Sequence, residues 1–226
     1  MFPVMIITID GYAGSGKSTA AVQLAEALGF ELLNTGAMYR AAGLALQDAG
    51  IDIYADSRDI PAIVAAVSTY RFDMPPGRVI LNGVDFAARV RDRGAGAAAS
   101  KVGTFREVRE RLKAEQRRIA DDRDMICEGR DQGTAVFPDA PVKFFFTASA
   151  EVRAERRVAQ LRAENQPADY DEILCKIRDR DRQDESREVD PLRQADDAVV
   201  IDTSHQDAAV VLALMLKVVA ACRSPR

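Results

Sequence analysis

Val4-Met5-Ile6-Ile7-Thr8-Ile9-Asp10-Gly11-Tyr12-Ala13-Gly14-Ser15-Gly16-Lys17-Ser18-Thr19 decides the fold. Val4 to Ile9 is an apolar, β-branched run that predicts a strand, and from Lys17 to Leu28 the apolar residues Ala20, Ala21, Leu24, Ala25 and Leu28 recur at helical spacing. Between them, Gly11 to Ser18 is a full match to Gly-x-x-x-x-Gly-Lys-Ser/Thr. A strand, a glycine loop and a helix in that order form a phosphate cradle. Backbone N–H groups wrap the anion, the helix N-terminus adds a favourable dipole, and the glycines allow positive φ and close approach. Lys17 is placed to reach the β- and γ-phosphates of a nucleotide, and the Ser18 hydroxyl to ligate a Mg²⁺ ion between them. Gly11, Tyr12, Ala13, Gly14, Ser15, Gly16, Lys17, Ser18 and Thr19 are the expected ATP site.

Outward from this stretch, Glu31 to Leu33, Met125 to Cys127, Val142 to Phe146 and Ala198 to Ile201 are short apolar runs without strict alternation, as strands covered on both faces require. Helices are expected around Ala37 to Asp48, Thr104 to Ala120, Glu151 to Glu164, Tyr170 to Arg187 and Gln206 to Cys222. The alternation predicts an α/β fold with a parallel core sheet. Tyr70 to Val90 interrupts it with Pro75-Pro76-Gly77 and with Asn82-Gly83 between two strand-like runs, which predicts a small inserted antiparallel sheet. Gly94 to Ser100, rich in small residues, reads as a hinge or a helix start.

The chain has 226 residues, 47% apolar and 29% charged, within the range of folded globular proteins. Its net charge of −4 lacks the basic excess of polynucleotide binders, so no polymeric nucleic acid is expected as a partner. The basic set is 25 Arg to six Lys, and Arg pairs with phosphate through two parallel hydrogen bonds. Cys127, Cys175 and Cys222 fit neither a disulfide framework nor metal-ligand spacing and are expected to be plain thiols. No export signal or membrane span is read, and a cytoplasmic monomer is expected. The single histidine, His205, is expected on the surface.

A phosphate loop alone serves switches, motors and kinases. No Asn-Lys-x-Asp guanine reader is present, and a motor's flanking machinery has no room, which leaves a small phosphotransferase. Three stretches are suited to its second substrate. Leu33 to Arg40 has Thr35 as the expected helix cap and Arg40 one turn in; Ile126 to Asp131 ends a strand with Glu128, Arg130 and Asp131; Arg178 to Arg187 is an Arg-rich helix. Ligands of open α/β sheets bind at such carboxyl edges. A uridylate-type or shikimate-type kinase, or an ATP-dependent switch, are the alternatives.

GYAGSGKST, LLNTGAMYR, AAASKVGTFREVR, EGRDQGTAVFPDAPVKFF and RDRDRQDESR, in this order and over nearly the whole chain, resemble the bacterial cytidylate kinase family. The resemblance implies a single P-loop kinase domain over 1–226, with a substrate cap over 70–95 and a mobile lid with Arg-rich helices over 149–188. It implies transfer from MgATP to CMP or dCMP. By position, Arg40, Arg130 and Arg187 match the clamp on the CMP phosphate, and Ser100, Arg109 and Asp131 the cytosine readers. Arg180 and Asp184 match the ribose contacts, and Arg156 and Arg157 the lid arginines over the ATP phosphates. Thr35 lies in the matching substrate segment, and Glu128 stands where the family has a metal-associated Asp. Gln132 and Gln183 replace an apolar residue and an Arg.

Overall fold

The computed structural model describes residues 4–92 and 94–223, which form two compact units: residues up to 32 together with those from 124 onward, and residues 33–123. The main sheet is parallel, with β1 (Ile6–Gly11), β2 (Glu31–Asn34), and the later strands Met125–Glu128, Val142–Thr147 and Val199–Asp202, numbered β6, β7 and β8 in chain order. Its order is β2-β6-β1-β7-β8, so the strand that leads into the glycine loop lies centrally. Register runs Ile7 to Ile126 on one side and Ile7 to Val142 on the other.

Ile7, Ile9, Phe144 and Phe146 are fully buried, as the non-alternating apolar runs require of strands covered on both faces. They pack with Leu24 and Ala21 of α1 (Lys17–Leu28) and with Met215 and Val219 of the terminal helix Ala208–Arg223. Two further helices of this unit, Ala150–Ala163 and Tyr170–Ser186, follow β7. A one-turn π-helix at Gln132–Val136, which no periodicity signalled, follows β6.

In the second unit, α2 (Thr35–Asp48) starts directly on β2 with no loop. The expected cap is corrected by one residue: the Asn34 side chain accepts from Ala37 N at 3.0 Å, and Thr35 is already helical. The chain continues through α3 (Ile60–Ser68), the short strands β3 (Phe72–Asp73), β4 (Ile80–Leu81) and β5 (Val84–Asp85), α4 (Ala95–Val102) and α5 (Arg106–Ala120). The helices numbered after these are α6 (Ala150–Ala163), α7 (Tyr170–Ser186) and α8 (Ala208–Arg223). The three short strands form the expected antiparallel sheet, in which β4 and β5 are joined by Asn82 and Gly83, both at positive φ as a tight hairpin turn demands. The small-residue stretch is helix α4: Gly43 of α2 lies where a Cβ would come within 3.0 Å of the Ala98 side chain. No helix among the described residues is long and apolar enough to cross a membrane.

Candidate active site

The donor loop is built by close approach. Gly11 ends β1 at φ 135°, where a Cβ would sit 2.0 Å from the Phe146 carbonyl oxygen, so only glycine fits. Gly16, at φ 85°, is the left-handed cap of α1. Inside the loop the Tyr12 carbonyl accepts from Ser15 Oγ at 2.9 Å and from Lys17 Nζ at 2.6 Å. Burial, with the neighbouring Arg130, pulls the Lys17 ammonium down to about 7, against the opposing pull of Glu128 and Asp10. An incoming polyphosphate would supply the anionic charge that favours the protonated form.

Ser18 Oγ donates to Glu128 Oε1 at 2.8 Å, so the two residues expected at a metal are brought together. A hydroxyl and a carboxylate are hard oxygen donors suited to Mg²⁺, which takes few protein ligands and completes its shell with phosphate and water. Among the described residues there is no cluster of three or more His, Cys, Asp or Glu for a self-contained metal cage. The donor set fits a metal that arrives with its nucleotide.

At the carboxyl end of β6, Arg130 Nε donates to Asp184 Oδ2 at 3.0 Å, and the other Asp184 oxygen lies 3.9 Å from Arg187 Nη1. One carboxylate therefore faces two of the three expected phosphate-binding arginines. Asp131 is buried and opens the π-helix, while Arg180 lies on α7. Asp10 accepts from the backbone N–H of Gln132 at 2.9 Å and of Gly133 at 2.7 Å, tying the end of β1 to the segment after β6. Burial raises its carboxyl to about 7 despite these bonds. Gln132 is fully buried.

The α6 arginines take distinct positions. Arg156 donates to the carbonyl and hydroxyl of Thr203, and Arg157 to the exposed Gln160 side chain. Arg153, which the sequence reading passed over, is buried and reaches Ala13 and Asp181. Its signal was available: Ala154, Val158 and Leu161 form the buried stripe of α6, and Arg153 adjoins it. His205 is exposed, as expected.

The second unit carries its own set. Thr35 is buried at the start of α2 and Arg40 lies one turn on. Arg109 on α5, 1% exposed, holds its guanidinium 5.5 Å from the Tyr39 ring centre and donates to Gly103 O at 3.2 Å. Ser100 lies on α4. The Tyr39 ring and the Gly103 carbonyl are among the groups that hold this buried guanidinium in place.

Comparison with known proteins identifies the family. The family model described as cytidylate kinase matches residues 7–221. A cytidylate kinase of Thermotoga neapolitana is 42% identical over 213 residues, covering 94% of this chain and 96% of its own. One from Aeromonas salmonicida is 40% identical over 216 residues, covering 96% and 93%. Among solved structures, an uncharacterized protein from Eubacterium ventriosum shares the fold at a TM-score of 0.54 and 15% identity, covering 96% of this chain and 99% of that one. The family match begins inside the strand that carries the donor loop and ends in the terminal helix, with relatives of similar length throughout, and on this footing the chain belongs to the cytidylate kinase family.

Proposed function

We propose that this chain is an enzyme that transfers the γ-phosphoryl group of ATP to CMP or dCMP, giving ADP and CDP or dCDP. The observation that carries the reading is the donor loop with Lys17 buried inside it and Ser18 against Glu128, in a chain whose family match runs over residues 7–221. Ser18 and Glu128 would hold Mg²⁺, which neutralises the β- and γ-phosphates when bound with ATP. Lys17 stabilises the charge that develops between those phosphates. Arg40, Arg130 and Arg187 bind the CMP phosphate, which is already ionised, so the attacking oxygen needs no general base. Their charge offsets the repulsion between the two anions.

For the base, cytosine offers an amino donor at N4 and an acceptor at N3. Asp131 with Ser100 is assigned to the first and Arg109 to the second, with Arg180 and Asp184 on the ribose and Thr35 in the substrate segment. Uracil inverts the pattern and leaves buried polar groups mismatched, at about 1–3 kcal/mol each. Arg156 and Arg157 serve the donor phosphates on closure of a lid formed within 149–188, and the segment 70–95 caps the acceptor. The test is ADP release with CMP, dCMP, UMP and AMP. CMP is expected to exceed UMP by about 10²-fold in kcat/KM, the scale of two such mismatches. Release that is slow and independent of any acceptor would instead identify an ATP-dependent switch.

A further inference from the structure

We propose that Arg153 is a positioning residue for the phosphate loop: through Ala13 and Tyr12 it fixes the loop's peptide planes, and Asp181 fixes Arg153. The inference rests on the reading of Gly11 to Ser18 as the donor site.

Arg153 is almost wholly buried, and each part of its guanidinium has a partner. Nη1 and Nη2 meet the two Asp181 oxygens at 2.9 and 2.6 Å, Nε donates to Ala148 O at 2.9 Å, and Nη1 also donates to Ala13 O at 3.3 Å. A two-pronged pair of this kind sets orientation as well as position. The guanidinium carbon stands 5.1 Å from the Tyr12 ring centre, and the ring meets Phe145 edge-on at 6.0 Å. The Tyr12 hydroxyl donates to Glu185 at 2.7 Å, one turn of α7 beyond Asp181. Loop residues 12 and 13 are thus tied to both α6 and α7, and Gly14 adds a third approach, since a Cβ there would lie 3.5 Å from Arg153 Cβ.

The consequence for phosphate binding follows from peptide geometry. In a trans peptide the C=O and the next N–H point in opposite directions. Holding the Ala13 carbonyl toward Arg153 therefore turns the Gly14 N–H the other way. The same device recurs two residues on: Thr203 Oγ1 donates to Ser15 O at 2.9 Å, which sets the Gly16 N–H, and Thr203 is itself held by Arg156, one turn along α6 from Arg153. A nest binds an anion only when successive N–H groups converge. Arg153 and Thr203 set the carbonyls that decide whether they do.

Steady-state kinetics of Arg153→Gln, Asp181→Asn and the double variant test this, with thermal melts alongside. Arg153→Gln is expected to raise KM for ATP about tenfold or more and to lower kcat, as misplacement of a binding group does, while KM for CMP stays within about twofold. Asp181→Asn should shift the same parameter less. The double variant should lose no more than Arg153→Gln, because the pair acts as a unit. Arg153→Lys keeps the charge without the fork and should not restore KM for ATP. Should Arg153→Gln fail to fold, Tyr12→Leu reads the same split from the loop side. Unchanged KM for ATP in a folded variant, equal rises in both KM values, or full recovery by Arg153→Lys would overturn the proposal. Absence of CMP-dependent ADP release in the unmodified enzyme would overturn the donor-site reading instead.

Discussion

Asp10 near the end of β1 and Lys17 at the start of α1 are both buried, and burial moves each from its ordinary protonation. Lys17→Ala is expected to cut turnover by about 10²-fold or more with the fold intact, the cost of removing one preorganised electrostatic contact. The check is kcat beside an unchanged far-UV spectrum. Asp10 gives a pH signature. Its carboxyl binds a proton more tightly in the folded protein than at the unfolded value of 3.8, so its contribution to stability falls as pH rises from about 4 through about 7. Asp10→Asn should flatten the fall in Tm between pH 5 and 7.5 relative to the unmodified protein. Parallel Tm curves for the two would show that Asp10 does not titrate in that window. The donor residues were legible because a contiguous motif encodes a contiguous loop. Arg153 was not, because VRAERR places three arginines within five residues and burial separates them only after α6 has packed.

Among the elements, the parallel strands were found from their apolar runs to within one or two residues, since burial on both faces leaves its mark in composition. Helix α3 was missed: Ile60-Pro61-Ala62-Ile63-Val64 is β-branched and short, and its start depends on Asp59 accepting from Ala62 N at 3.0 Å. The π-helix was missed because it is held by Asp10, more than a hundred residues earlier, through Gln132 and Gly133. Glu115 of α5 shows how an element is pinned at a distance. It accepts from Phe72 N of β3 at 2.9 Å and pairs with Arg118 at 2.9 Å and Arg111 at 3.2 Å, while 2% exposed. Burial alone would raise its carboxyl, but Arg118, the Phe72 N–H and Arg111 outweigh it and hold the pKa below the usual value of 4.5. Glu115 therefore adds stability above that value and loses it as pH falls below. Glu115→Gln should cost about 2 kcal/mol at pH 7, or roughly 4–8 °C in Tm, with a smaller difference at pH 3.5. A difference that stays constant across this range would exclude the charge as its source.

For the molecule as a whole, the proposed reaction admits two nucleotides and then excludes water, which calls for segments that close only when both are bound. Hydrogen exchange over Ala150–Ala163 should slow with CMP and a non-hydrolysable ATP analogue together, and much less with either alone. Exchange that both ligands leave unchanged would argue against a lid there. The lengths of the connections also govern which changes in length the chain can absorb. Strand β2 passes into α2 at Asn34, which is at once the last strand residue and the helix cap, so nothing at this junction is slack. One residue inserted after Asn34 would move the Asn34 side chain out of register with the Ala37 N–H that it caps at 3.0 Å and leave the first turn of α2 uncapped. The same insertion among residues 54–58, between α2 and α3, meets exposed or half-exposed chain without regular structure and should be absorbed. Natural length variation in chains of this design should accordingly be barred from the β2 junction and gather in that segment.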